Sequence, residues 1–208
     1  MVTVTKAQIQ ALAPHALPQY IAVFDDQAKV DNILRDFEIN TNQRVAHFFA
    51  QVLHETDGLT ILRECMNYTH AQVICDTWPS RFHTLAEAQP FTHNPQALAN
   101  KVYGGRMGNV AANDGWVYRG GGWTQVTGLG AYRKRAATTC PDILINPDLV
   151  CDTRYCFDVA ADDWVDSGCN ELADDDDIRG VTQAINGGLI GFDDRKLWLT
   201  KTKPVWPY

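Results

Sequence analysis

Two acidic residues, Glu55 and Glu64, lie nine positions apart in the stretch RVAHFFAQVLHETDGLTILRE, which covers residues 44–64. Two carboxyl groups that face each other across a gap can split a glycosidic bond, because one donates a proton and the other activates water. In one straight helix, nine residues would separate them by roughly 13 Å, whereas an inverting mechanism needs about 6.5–9.5 Å. Gly58 lies between them and permits the chain to fold back, so the sequence predicts a hydrolytic pair.

The two carboxyl groups need different surroundings for these roles. Phe48 and Val52 are close to Glu55 along the chain, and apolar neighbours favour the protonated form that a general acid requires. Arg63 is adjacent to Glu64, and a positive charge favours the ionised form that a general base requires. The alternative is that Glu55 is only a solvated residue at the end of a helix.

Further polar groups could hold the attacking water or the substrate. Residues 116–132 are rich in glycine, with Thr, Val, Trp and Tyr interleaved, a pattern typical of extended backbone that passes close to another group. Gln125 and Thr127 alternate onto one face of such a strand. The alternative is that both side chains pair within a sheet. Asn186, which precedes two glycines, and Arg195 are two more candidates.

Other kinds of catalytic site do not fit the sequence. His54 and Glu55 begin a zinc-protease pattern, but position 58, where a second His is needed, is glycine. The six cysteines have no CxxC spacing, and we expect reduced thiols. The run Asp174–Asp177 is expected to cap a helix; a calcium loop is the alternative, although the EF-hand spacing is absent. No metal ion or cofactor is therefore expected.

Composition limits the partners and the compartment. The 208 residues carry a net charge of −7, which argues against nucleic acid as a partner. Neither a basic amphipathic tail nor a long apolar run is present, so we expect no stable association with a membrane. The N-terminal residues do not have the pattern of a secretory signal, which predicts folding in the cytosol.

Hydrophobic periodicity predicts a mainly α fold, α+β in class, with one catalytic domain over residues 1–208. Within it we expect a smaller lobe at about 66–115, a larger helical lobe formed by the remainder, and a cleft between them. The clearest helix covers 41–55, with Thr41 as its cap, and the line His47, Gln51 and Glu55 is expected at the edge of the cleft. The other predicted helices cover 3–12 (capped by Thr5), 18–36, 69–77, 84–89, 95–103, 153–168, 176–186 and 191–200.

Five segments carry a resemblance to a known family: AHFFAQVLHETDG, RECMNYT, NKVYGGRMGN, DGWVYRGGGWTQVTGLGAY and AINGGLIGFDDR. In this order they resemble glycoside hydrolase family 19, which holds plant-type chitinases and related endolysins of bacteriophages. The resemblance covers most of the chain and implies a lysozyme-like fold. One departure is Ala131, where the family often has an asparagine, so one contact to water or sugar is in doubt.

The resemblance also implies roles for individual residues. Glu55 corresponds to the general acid, Glu64 to the general base, and Thr127 to the hydroxyl that positions the attacking water. The other positions that match the family line the cleft, form its floor or support the carboxylates: Tyr118, Arg119, Gln125, Asn186 and Arg195.

The short interval between the two glutamates resembles the phage subgroup, because plant chitinases carry a longer insertion there. This implies an endolysin that binds peptidoglycan glycan strands and hydrolyses the β-1,4 bond between N-acetylmuramic acid and N-acetylglucosamine. Nothing in the sequence suggests more than a monomer. It would stay in the host cytoplasm until lysis releases it to the periplasm and cell wall. The alternatives are a chitinase that cleaves N-acetylglucosamine polymers and a carbohydrate-binding protein that has lost activity.

Overall fold

The computed structural model describes residues 2–208 and is mainly α-helical, as predicted. Within that range the α-helices are α1 Lys6–Leu12, α2 Pro18–Ile21, α3 Gln27–Asp36, α4 Asn42–Glu55, α5 Ala71–Thr77, α6 Leu85–Ala88, α7 Pro95–Tyr103, α8 Asp114–Val117, α9 Leu129–Thr138, α10 Cys156–Asp166, α11 Cys169–Asp174, α12 Ile178–Asn186 and α13 Phe192–Thr202. Short 3₁₀ segments cover Ala22–Asp25, Gln89–Phe91, Pro141–Leu144 and Pro147–Cys151. No helix in residues 2–208 is long and apolar enough to span a bilayer.

Side-chain caps fix the starts of several helices. The Thr5 hydroxyl accepts a hydrogen bond from the Gln8 backbone N–H, and the Gln8 side chain accepts one from the Thr5 N–H, so α1 begins with a capping box. Thr41 caps α4 through the Arg44 N–H. Asp177 caps α12 through the Gly180 N–H. The predicted caps Thr5 and Thr41 are confirmed, and Asp177 confirms the capping role of the acidic run.

Helix α4 is the centre of the main apolar core. Phe48 and Phe49 pack edge to face with ring centroids 5.1 Å apart, and Phe48 also contacts Phe157 and Trp164. Trp206, near the C-terminus, stacks on Phe49 at 5.3 Å. Helices α11, α12 and α13 also pack against α4, so residues Val45–Leu53 of α4 are buried on every side.

This burial corrects one expectation about α4. His47 and Gln51 were predicted at the edge of a cleft together with Glu55, but both are fully buried. The His47 Nε2 atom contacts Asp176 at 2.8 Å, and burial lowers the pKa of the His47 imidazole. The polar line therefore faces neighbouring protein, and Glu55 at its end is the member that reaches open space.

A second apolar cluster is built from α5, α6 and α7. Its buried residues are Met66, Ala71, Ile74, Phe82, Ala88, Leu98, Ala99 and Val102. All of them lie in the range predicted for a smaller lobe, and Trp116 packs against the cluster from outside that range. The division into two lobes stays a prediction.

The glycine-rich segment 116–132 differs from the extended strand that was expected. Its β pairing consists of two isolated bridges, from Gly121 to Arg63 and from Gly121 to Val126. Between them the chain turns sharply, with positive φ at Gly122 (78°) and Gln125 (53°). Helix α8 ends at Val117 and helix α9 begins at Leu129, so residues 118–128 form a tight loop between two helices. The alternation of residue types in this segment suggests a strand, but it does not show where the backbone turns.

Candidate active site

The chain reverses direction immediately after Glu55. Three consecutive residues have positive φ: Asp57 (46°), Gly58 (66°) and Leu59 (62°). The Gly58 N–H donates to the Leu53 carbonyl at 2.7 Å, and the Thr56 hydroxyl accepts from the Leu59 N–H at 2.9 Å. The bend predicted at Gly58 is confirmed, and it extends over two neighbours that have side chains.

Beyond this turn, residues 62–64 pair with residues 120–122. The Glu64 N–H donates to the Gly120 carbonyl, and the Gly122 N–H donates to the Leu62 carbonyl, both at 2.9 Å. A β-carbon at Gly121 would lie 2.6 Å from Arg63 Nη1 and 2.8 Å from Val150 Cγ1, so a larger residue would have to displace these side chains. The pairing places Glu64 directly beside the glycine-rich loop.

Glu55 and Glu64 line one cavity of about 720 Å³. Three more of the predicted residues, Gln125, Thr127 and Asn186, line the same cavity. These five residues come from three distant parts of the sequence. They are brought together by the turn after α4, the pairing at Gly120 and the end of α12. Their individual roles stay predictions.

Arg195 holds Glu55 from behind. Its Nη2 atom donates to Glu55 Oε1, and its Nη1 atom donates to Gln51 Oε1. The Arg195 side chain is 2% exposed and the Glu55 side chain 14% exposed, so this is a nearly buried ion pair between α13 and α4. Arg195 does not line the cavity, which gives it a supporting position behind Glu55.

Two donors hold the two oxygens of Glu64. The Tyr103 hydroxyl donates to Oε1 at 2.6 Å, and the Gly120 N–H donates to Oε2 at 3.2 Å. Arg63, expected to help keep Glu64 ionised, instead donates to the Tyr132 hydroxyl and to Asp148. Adjacent residues in extended backbone point to opposite faces, so Arg63 turns away from the cavity.

The loop side chains Gln125 and Thr127 meet Glu64 around Gly120. A β-carbon at Gly120 would lie 3.0 Å from Gln125 Oε1, 3.3 Å from Thr127 Oγ1 and 3.4 Å from Glu64 Cβ. The Thr127 hydroxyl donates to the Gln125 carbonyl at 2.7 Å. Because its proton is used there, Thr127 can only accept a hydrogen bond from a group in the cavity.

Tyr118 and Arg119 lie outside the residues that line the cavity. The Tyr118 ring packs edge to face on Tyr132, with centroids 5.1 Å apart. The Arg119 guanidinium stacks 3.7 Å above the Trp116 ring, and burial, together with nearby Arg63, lowers the pKa of Arg119. The role of these two residues as a cleft floor stays a prediction.

The cavity also has a charged wall that the sequence did not indicate. Arg135 of α9 is buried and forms ion pairs with Asp162, Asp163 and Asp166 of α10. Burial raises the pKa of Asp163, and the charge of Arg135 opposes that rise. Tyr103 was missed as well, although it belongs to the segment NKVYGGRMGN that carries part of the family resemblance. No group of three or more metal-ligating side chains lies together within residues 2–208.

Comparisons with known proteins identify the family of the chain. No protein-family model matches the chain. A glycosyl hydrolase family 19 domain-containing protein of Haemophilus influenzae is 34% identical over 157 residues, which cover 72% of this chain and 74% of the relative. The crystal structure of a chitinase C mutant has the same fold with a TM-score of 0.61, covering 98% of this chain and 76% of that one at 18% identity. The chain therefore belongs to glycosyl hydrolase family 19 and is a glycoside hydrolase.

Proposed function

We propose that this protein is a phage endolysin that hydrolyses the β-1,4 bond between N-acetylmuramic acid and N-acetylglucosamine in peptidoglycan. The observation that carries the proposal is the single cavity of about 720 Å³ lined by both Glu55 and Glu64. A volume of this size accommodates sugar units together with a water molecule. The carboxyl groups reach it from two separate segments, α4 and the pairing at Gly120.

In this proposal Glu55 protonates the oxygen of the leaving sugar and Glu64 removes a proton from water. Arg195 contacts Oε1 of Glu55, while Oε2 has no hydrogen-bond partner among residues 2–208 and is the oxygen available to the substrate. Substrate binding would displace water from the cavity around this oxygen. No metal ion or cofactor enters the reaction.

The attacking water would be held by Glu64 and Thr127 together. Glu64 accepts one proton of the water, and Thr127, whose own proton is donated to Gln125, accepts the other. A water molecule that donates both protons in this way directs its lone pairs towards the anomeric carbon. Attack from the face opposite the leaving oxygen inverts that carbon.

The choice of peptidoglycan rests on the nine-residue interval between the two glutamates, which resembles the phage subgroup of the family. A glycan substrate follows from the family itself. We propose further that the enzyme acts as a monomer, remains in the host cytoplasm and reaches the periplasm and cell wall at lysis. It would have no nucleic-acid partner and no stable association with a membrane.

A chitinase is the second candidate. The likeness to the chitinase C structure along 98% of the chain favours it, although at 18% identity that likeness concerns the fold. The chemistry at Glu55 and Glu64 would be the same for both polymers. The substrate, rather than the mechanism, separates the two candidates.

Mass spectrometry of digested cell wall tests the proposal. The enzyme is incubated in parallel with purified peptidoglycan and with colloidal chitin. We expect muropeptides with N-acetylmuramic acid at the new reducing end, and little release from chitin. A new reducing end at N-acetylglucosamine would contradict the proposed bond, and products from chitin alone would support the chitinase.

The variant Glu55→Gln is the matched control for that digestion. It keeps the size of the side chain but has no proton to donate at the required strength, so we expect it to sediment with cell walls and to release no products. Release at the rate of the parent enzyme would show that Glu55 is not the general acid.

A further inference from the structure

Tyr103 contacts the proposed general base directly. It is the last residue of α7, lines the cavity, and donates its hydroxyl proton to Glu64 Oε1 at 2.6 Å. This distance is typical of a hydrogen bond from a neutral hydroxyl to an ionised carboxylate. The bond joins the cluster of α5, α6 and α7 to the segment that carries Glu64.

The position of Tyr103 is itself fixed by Asn109. Asn109 is 1% exposed; its amide donates to the Tyr103 carbonyl at 2.9 Å and its side-chain oxygen accepts from the Leu129 N–H at 2.8 Å. Asn109 thereby ties the end of α7 to the start of α9, two residues after Thr127. The segment NKVYGGRMGN thus connects Glu64 to the loop that carries Thr127, the two residues that would hold the water.

Tyr103 also keeps its proton under all ordinary conditions. Burial raises the pKa of the Tyr103 phenol, and the nearby charge of Glu64 raises it further. A phenol that does not ionise acts only as a donor towards the carboxylate. Together with the Gly120 N–H on Oε2, it fixes the plane of the Glu64 carboxyl group from two directions.

We propose that Tyr103 is a positioning residue for the reaction, which holds the Glu64 carboxyl group in the orientation that accepts a proton from water. The inference rests on the proposed function of Glu64 and goes beyond it, because it assigns a role to the cluster of α5, α6 and α7. Loss of the hydroxyl should leave the cavity lined as before but free the carboxyl group to rotate.

The variant Tyr103→Phe tests this role on the parent substrate. We expect kcat to fall about ten- to a hundredfold, as for the loss of a hydrogen bond to a charged group, with KM changed less than about threefold. The control Tyr20→Phe removes a hydroxyl that donates to the Cys151 carbonyl and does not line the cavity, so its kcat and KM should match those of the parent.

The double variant Tyr103→Phe/Glu64→Gln separates this inference from the proposed function. We expect Glu64→Gln alone to lose most turnover and the second change to add no further loss. If Glu64→Gln keeps parent turnover, the proposed function fails. If Glu64→Gln is inactive while Tyr103→Phe keeps the parent kcat, or changes only KM, the positioning role is wrong and the proposed function stands.

Discussion

Glu55 and Glu64 reach the same cavity by two different constructions. Glu55 ends a helix that is buried on every side, and a buried guanidinium fixes it there. Glu64 lies on three residues of extended backbone, held by one main-chain N–H and one neutral hydroxyl. The first carboxyl group depends on the packing of α4 and α13, whereas the second depends on a local loop and on α7.

This difference predicts which changes affect the fold and which affect only the reaction. Removing either charge of the nearly buried ion pair between Arg195 and Glu55 leaves the other uncompensated, which costs stability. Removing a neutral partner from Glu64 leaves a carboxyl group that water in the cavity can still solvate. We therefore expect a loss mainly of activity and little loss of stability. Substitutions around Glu55 should therefore lower mainly stability, and substitutions around Glu64 mainly activity.

The largest expected effect is on stability, from Arg195→Met. The change leaves Glu55 and Gln51 without their donor, and we expect the free energy of unfolding to fall by about 3–5 kcal/mol. Urea denaturation followed by circular dichroism measures this. Adding Glu55→Gln should recover part of the loss, because the uncompensated charge is then absent.

The control for Arg195 is Arg35, which pairs with Asp36 on the surface with both side chains more than half exposed. Arg35→Met should change the free energy of unfolding by no more than about 1 kcal/mol. Equal effects at Arg195 and Arg35 would contradict a structural role for the pair behind Glu55.

A smaller effect, mainly on activity, is expected from Gly120→Ala. The added β-carbon would press on Gln125 Oε1 at 3.0 Å and on Thr127 Oγ1 at 3.3 Å, so these groups must shift by a few tenths of an ångström. We expect turnover to fall about tenfold, with a loss of stability of about 1 kcal/mol. In Gly188→Ala the nearest contact of the new carbon is 3.9 Å away, at Asn186, and kcat should change far less.

The smallest effect is expected from Thr127→Ala. Glu64 would still accept one proton of the water, so we expect kcat to fall only about three- to tenfold. Thr127→Ser keeps the hydroxyl and should retain most of the activity. A loss as large as that of Glu64→Gln would mean that Thr127, rather than Glu64, is the main partner of the water.

The sequence predicted the parts of the site that depend on local patterns. The apolar stripe and Thr41 identify α4, and Gly58 identifies the bend after it, because capping and positive φ have local signatures. Both glutamates and the loop residues Gln125 and Thr127 could be found from residue type and spacing. These features require no knowledge of what packs on them.

The remaining features depend on contacts between distant residues. Nothing near Gln51 predicts a hydrogen bond from Arg195, 144 positions away, and Tyr103 reaches Glu64 across 39 positions. The Arg63 side chain points away from the cavity because residue 63 pairs with Gly121. The glycine-rich pattern indicated a close approach of the backbone to another group, but not which residues pair. The helices α9 and α11 were missed because their buried positions are set by neighbouring helices rather than by a clear period of their own.

The stereochemistry of the first product tests the central claim most directly. If Glu64 activates water while Glu55 protonates the leaving oxygen, a β-1,4 linkage yields the α-anomer before mutarotation. Proton NMR of a soluble N-acetylated oligosaccharide, recorded in the first minutes of digestion, distinguishes the two anomers. We predict α-anomer first; initial release of the β-anomer would contradict direct attack by a water held between Glu64 and Thr127.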